Sequence, residues 1–302
     1  AVWLAGHNAE LASRLPGSIT RYLPGLLGKV AEIWVIVGCG TVLMILGLID
    51  DRRGIPWWFR LGVEVLVATF CVVWQGLQLT AFIPVPWLTS TLSVLWIVAM
   101  INAFNMLDNM DGLSGGVAAI SASLLACMLL TSPDPSGGQP QLFVAMMLFV
   151  AVGAILGFLG HNWPPAKIFM GDAGSYFVGF WIAVATLLAT YAGYRGDTPH
   201  AVVAPLIVMA IPLYDMTSVI WIRLREGRSP FEADKRHFSH RLVDLGMTKK
   251  QAVLTIYLAT GTCSVGALLL PRVDAWGAAL VVLSTLLVLS LVVMLESVRQ
   301  ND

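Results

Sequence analysis

The chain has 302 residues, 57% of them apolar and only 12% charged, with 18 basic and 18 acidic side chains and a formal net charge of zero. A mean hydropathy of +0.79 excludes a soluble domain. Zero net charge argues against nucleic-acid binding, and what remains is an integral membrane protein.

Residues 1–29 contain Pro16, Gly17, Pro24 and Gly25 and lack the basic and apolar stretches of a signal peptide. They read as an extracytoplasmic segment, and the expectation is that natural sequence precedes Ala1. A helix needs about 20 apolar residues to cross a bilayer. Nine such spans are predicted near 30–49, 59–79, 87–107, 113–131, 140–160, 174–193, 200–221, 251–270 and 275–296. They are too long and too uniformly apolar for the strands of a membrane barrel. The predicted fold is all-α, a polytopic transmembrane helical bundle. It consists of one domain over 30–296, with a loop at 222–250 and a tail at 297–302.

Orientation follows from Lys and Arg in the loops. The set 50–60, 161–173, 222–250 and the C-terminus holds 13 of the 18 basic residues. That set is predicted to be cytoplasmic. Asp50-Asp51, the run 102–112, the loop 161–175 and the loop 222–250 then share one face of the membrane.

Each motif has a plain reading and a chemical one. Asp50-Asp51-Arg52-Arg53 closes the first span and could be a simple turn with basic flanks. Adjacent carboxylates repel, however, by about 4 kcal/mol at ~4 Å and an effective dielectric of 20. A cation or a proton-transfer role explains their retention better. Asn102, Asn105, Asp108 and Asp111 recur at steps of three, which places them on one helical face. A turn alone does not require that. Phe169-Met-Gly-Asp172-Ala-Gly174-Ser175 suits a helix start with an Asp cap. The same amides could meet phosphate oxygens, with Asp172 holding a divalent cation and Lys167 a phosphate. His237 and His240 lie in the Arg-rich loop 222–250, which suits either anionic headgroups or a phosphate ligand. Asp215, inside the seventh span after Pro212, is expected to pair with a base such as Arg223, and Glu64 with Arg60. Cys39, Cys71, Cys127 and Cys263 sit singly in spans and read as small core residues.

So many carboxylates on one face call for a divalent metal and a polyanionic ligand. A soluble donor meeting a membrane-resident acceptor points to phosphoryl transfer onto a lipid. An ion-coupled transporter fits less well, because transporter sites lie near the midplane between repeats.

The chain resembles the polyprenyl-phosphate N-acetylhexosamine-1-phosphate transferases, the glycosyltransferase 4 superfamily that includes the phospho-MurNAc-pentapeptide translocase. The stretches that carry the resemblance are Leu48–Arg52, Asn102–Leu113, Asn162–Ser175, Pro212-x-x-Asp215 and Arg228–Leu242. His-x-x-His-Arg-Leu looks most like the undecaprenyl-phosphate GlcNAc-1-phosphate transferase branch. The resemblance implies a multi-pass enzyme of the bacterial plasma membrane with a cytoplasmic active site. It would use UDP-N-acetylhexosamine, undecaprenyl phosphate and Mg2+ (Mn2+ substituting), and would serve cell-envelope glycan synthesis. It assigns Asp50, Asp51 and Asp108 to catalysis, Asp172 and Asn105 to the metal, and Asp111, Asn162, His237, His240 and Arg241 to substrate, and Lys167 joins the substrate set by its position in the loop alone. A homodimer is the family-level expectation. Two departures stand out. Ser239 occupies the place of a central His, and the family's Pro-Arg-x-Gly-Gly loop and first spans are not in this chain. Both raise the alternative of a catalytically impaired relative.

Overall fold

The computed structural model describes residues 23–77, 79, 83–132, 140–191, 198–232 and 236–297. Most of the N-terminal segment and residues 298–302 of the tail lie outside them. After a short helix α1 (Leu23–Gly28) come α2 (Val30–Arg53), α3 (Trp57–Gln75), α4 (Pro86–Leu107), α5 (Leu113–Thr131), α6 (Leu142–Asn162) and α7 (Gly171–Leu188). A 3-10 turn at Pro199–Val203 leads into α8 (Ala204–Val208) and α9 (Ala210–Arg225). The chain ends with α10 (Phe238–Asp244), α11 (Lys249–Leu269) and α12 (Ala275–Ser297). Among the described residues, eight helices are long and apolar enough to cross a membrane, and the segment 199–225, bent by 63°, counts as a ninth if it is taken as one span. The all-helical multi-pass bundle predicted from hydropathy is what forms.

Three span ends matter for the site. The first spanning helix, α2, runs on through Asp50 and Asp51 to Arg53. The third stops at Leu107, so Asn102 and Asn105 are helical and Asp108 is the C-cap. The sixth begins at Gly171, with Asp172 in its first turn. The bend in the seventh span follows from Pro212. Proline has no N–H for the Val208 carbonyl, and the helix breaks at Met209, between α8 and α9.

The most enclosed of the spanning helices is α5, with 72% of its apolar stretch buried. Its Ser114, Gly115, Gly116, Ala118, Ala119, Ser121 and Ala122 let α6 and α11 approach closely. At Gly116 a Cβ would lie 1.8 Å from the Tyr257 hydroxyl of α11, so only glycine admits that tyrosine. The other central helix, α7, packs on both α2 and α4. Outward-facing Trp34, Leu66, Val73, Trp74, Leu258 and Leu280 are exposed. That is expected where lipid takes the place of water. Cys39, Cys71 and Cys263 are buried as predicted, whereas Cys127 is exposed and falls outside the core reading.

Candidate active site

The acids converge where α2 ends, α3 begins and α7 begins. Asp50, buried in the last turn of α2, accepts a hydrogen bond from the Ile55 N–H and an ion pair from Arg60 in the first turn of α3. The same Arg60 nitrogen lies 3.5 Å from Asp172 Oδ2. Asp172 Oδ1 accepts from Asn105 Nδ2 at 2.6 Å, and that amide also reaches Ser175 Oγ at 3.1 Å. One guanidinium therefore stands between two carboxylates at the end of the bundle. Glu64, one turn on, is buried and accepts from Asn102 at 2.5 Å. The predicted Arg60–Glu64 pair gives way because Arg60 reaches the two aspartates.

Asp51 and Asp108 have a different task. Asp51 accepts the Asp172 N–H at 3.0 Å and the Ala173 N–H at 3.3 Å, while Asp108 accepts the Gly171 N–H at 3.1 Å. The first amides of a helix lack partners within it, and its dipole favours anions there. The expectation that these amides cradle a phosphate is thus corrected, since two carboxylates already occupy them. Burial pushes the Asp108 carboxyl up to about 7. The Gly171 N–H opposes that shift, and the charges of Asp172 and Asp51 add to it. The close approach depends on Gly47 of α2, where a Cβ would sit 2.4 Å from the Asp172 carbonyl carbon.

The loop 162–170 closes one side. Asn162 is buried, accepts the Gly112 N–H at 2.8 Å and donates to the Ile168 carbonyl at 2.8 Å. Asp111 accepts the Ala166 N–H at 3.0 Å. Both side chains clamp this loop to the 102–112 segment, and Tyr257 adds a hydrogen bond to the Gly112 carbonyl. Lys167 is exposed, with its backbone N–H on the His161 carbonyl.

The third component is the loop leading into α10. Asp215, fully buried in α9, lies 2.9 Å from His237 Nδ1 and accepts the Phe238 N–H at 2.6 Å. A carboxylate partner places the ring proton on Nδ1 and leaves Nε2 to act elsewhere. Arg223, the base expected for Asp215, donates to the Pro230 carbonyl at 2.6 Å. The rings of His237 and His240 are 6.5 Å apart. Buried Ser239 donates to Asn109 Oδ1, which joins this loop to the 102–112 segment. Phe231 stacks on Trp57 of α3, with centroids 4.0 Å apart and planes within 5°. Arg241 meets Glu296 at 3.0 Å and Ser218 Oγ at 2.8 Å.

The structure thus groups Asp50, Asp51, Asn105, Asp108 and Asp172 tightly. Asp111 and Asn162 tie the 102–112 segment to the adjoining loop that carries Lys167, and His237, His240 and Arg241 lie at the start of α10. Sequence reasoning missed Arg60, Ser175, Asn109, Tyr257 and Glu296 as members of this assembly. Arg60 carried a signal, being a lone cation in the first turn of an apolar helix.

Among the described residues, no group of three or more His, Cys, Asp or Glu side chains forms a closed metal cage. Mg2+ does not need one. It takes one or two carboxylates together with substrate phosphates and waters. Asp172, with Asn105 beside it and 26% of its side chain exposed, offers a hard-oxygen, open donor set of that kind.

A multi-pass helical bundle with carboxylates, an arginine and histidine loops at one end defines a membrane protein with a polar site at the mouth of its spans. Residues 33–190 match the family model "Glycosyl transferase family 4". The chain belongs to that family, and the relatives it resembles are polyprenyl-phosphate N-acetylglucosamine-1-phosphate transferases. It is 34% identical over 249 residues to a probable undecaprenyl-phosphate N-acetylglucosaminyl 1-phosphate transferase of Bacillus subtilis, covering 78% of this chain and 65% of that protein. It is 32% identical over 311 residues to the decaprenyl-phosphate N-acetylglucosaminephosphotransferase of Mycobacterium tuberculosis, covering 97% and 76%. The undecaprenyl-phosphate alpha-N-acetylglucosaminyl 1-phosphate transferase of Escherichia coli is 35% identical over 251 residues, covering 77% and 64%. The chain therefore spans just under two thirds of the length of the Bacillus and Escherichia relatives.

Proposed function

We propose that this protein transfers N-acetylhexosamine-1-phosphate, GlcNAc first among the candidates, from a UDP-sugar to undecaprenyl phosphate. In the net reaction a lipid-phosphate oxygen bonds to the phosphorus bearing the sugar, the phosphoanhydride bond to UMP breaks, and UMP leaves. The product is a lipid-diphosphate-sugar for envelope glycan synthesis. The site would face the cytoplasm of a bacterial plasma membrane, where the basic loops gather.

The observation that carries this reading is Arg60 held between Asp50 and Asp172 at the membrane edge. Arg60 supplies the cation that a lipid monophosphate needs, and a guanidinium can grip two of its oxygens. Asp50, anchored by the Ile55 N–H, is placed to orient that phosphate and take its proton. Asp51 and Asp108 hold the start of α7, and with it Asp172, in place. Asp172 and Asn105 are the proposed Mg2+ ligands, with Mn2+ able to substitute. The metal would neutralise charge on the transferring phosphoryl group. Asp111, Asn162 and Lys167 border the nucleotide side, and His237 and His240 are assigned to the diphosphate. Ser239 does not imply an impaired relative on this reading, because its hydroxyl has a defined partner in Asn109.

The test is purified protein with undecaprenyl phosphate, Mg2+ and a panel of UDP-sugars, scored for UMP release. No UMP from any donor refutes the enzyme reading. Asp172→Asn should abolish turnover, and a near wild-type rate in that variant overturns the metal assignment. Cysteines placed in 133–139 should react with an impermeant reagent in intact cells. Reaction only in inverted vesicles reverses the proposed orientation.

A further inference from the structure

The last helix, α12, presents Leu280, Leu283, Leu287, Leu291 and Met294 outward, as a lipid-facing helix does. Glu296, near its end, is out of keeping with that surface. Carboxylates in membrane helices are costly and face the bundle interior or a partner. Glu296 has two partners. Its Oε1 lies 3.0 Å from Arg241 Nε in an ion pair without hydrogen-bond geometry, and its Oε2 accepts the Tyr214 hydroxyl at 2.9 Å. The pair is sheltered, with side-chain exposures of 15% for Arg241 and 13% for Glu296.

The rest of the Arg241 guanidinium is also engaged. One terminal nitrogen donates to the Arg236 carbonyl and the other to Ser218 Oγ at 2.8 Å. A guanidinium has five N–H donors in a fixed fork. Here that fork joins α9, the loop before α10 and the end of α12. Tyr214 and Asp215 are consecutive in α9, and they reach in different directions. Tyr214 holds Glu296, while Asp215 holds His237 and the Phe238 N–H. Tyr214 and Phe238 also pack edge to face, with centroids 5.8 Å apart and planes at 90°. One turn of α9 therefore fixes both ends of the His237–Arg241 segment, one end directly and the other through the final helix.

We propose that Glu296 is a positioning residue that holds the His237–Arg241 turn in register through Arg241, with Arg241 acting as tether rather than as a ligand to the diphosphate. The proposal rests on the reading that this turn receives the diphosphate of the nucleotide sugar. Glu296 touches no substrate in this scheme. Its carboxylate fixes where His237 and His240 stand when the ligand arrives.

Glu296→Gln keeps the shape of the side chain and removes its charge. In the purified full chain without substrate, amide hydrogen exchange over 237–244 should speed up by about threefold or more, as for the loss of one sheltered ion pair, while exchange in α5 and α7 stays unchanged. In turnover, KM for the UDP-sugar should rise about tenfold, the equivalent of about 1.4 kcal/mol, with kcat within about twofold. Arg241→Gln should show the same split, and the double variant should be no worse than either single variant. Should Glu296→Gln fail to fold, Glu296→Asp, which retracts the carboxylate, and Tyr214→Phe carry the same test with smaller expected shifts. Wild-type exchange and wild-type KM in these variants overturn the proposal. Additive effects in the double variant also overturn it. If the wild type releases no UMP from any donor, the functional reading fails, and the exchange experiment still decides whether Glu296 holds the turn.

Discussion

Gly47→Ala tests whether the contact between α2 and the start of α7 sets the geometry of the acid cluster. An added Cβ would lie 2.4 Å from the Asp172 carbonyl carbon and 2.5 Å from the Ala173 nitrogen, whereas ordinary contact begins at 3.4 Å. Both neighbours are backbone, so no side chain can swing aside, and the helices must separate by about 1 Å. Overpacking of this kind typically costs about 1–3 kcal/mol. The same movement stretches the Asp51 bonds of 3.0 and 3.3 Å past hydrogen-bonding range, and a lost helix cap adds about 1 kcal/mol. Together these amount to roughly 2–4 kcal/mol, a fall of about 5–12 °C in the apparent melting temperature in detergent. A displacement of about 1 Å at a reacting centre can reduce turnover about a hundredfold. UMP release and differential scanning fluorimetry measure the two effects. Gly38→Ala in the same helix is the control, since a Cβ there meets nothing within 4 Å. Gly47→Ala with wild-type melting and wild-type turnover would show that the close contact does not govern the site.

Asp215→Asn retains an acceptor for the Phe238 N–H but no longer favours the proton on His237 Nδ1. Turnover should fall at least tenfold with little loss of folded protein on size exclusion, and unchanged turnover would remove His237 from the active machinery. Ser239→Ala leaves Asn109 Oδ1 without its donor and should destabilise by about 1–3 kcal/mol. A rise in KM for the UDP-sugar should accompany it, and a neutral result in both assays contradicts the role given to this serine. Gly116→Ala should be among the most damaging substitutions outside the acid cluster, because Tyr257 would have to leave the Gly112 carbonyl. Tyr257→Ala in the same chain should restore part of the lost melting temperature, and the absence of any rescue refutes the steric explanation.

Much of the architecture was legible because the bilayer imposes a length and a composition on each helix. The spans and the convergence of Asp50, Asp108 and Asp172 at one end of the bundle followed from hydropathy and basic loops. What escaped was the assignment of partners. Asp51 and Asp108 looked like metal or proton-transfer groups, yet both cap α7, a contact between residues more than 60 positions apart that no local pattern encodes. Arg60 and Glu64 had ideal helical spacing for each other, but tertiary neighbours supplied better geometry for both. Asn162 sits in a motif that suggests a ligand, and both ends of its amide serve the fold. Glu296 was read as part of the last span. Its meaning appears only when α12 packs beside α9.

The pairing of Asp50 with Arg60 also bears on how the chain enters a membrane. The two residues belong to consecutive helices joined by a short turn, so they can meet as soon as that hairpin forms. A lone charge near the hydrocarbon boundary is a burden on insertion, and a neutralised pair lowers it. Asp172 joins only when the sixth span arrives. The cluster is thus completed in stages, and until then the early carboxylate travels with its own counter-ion.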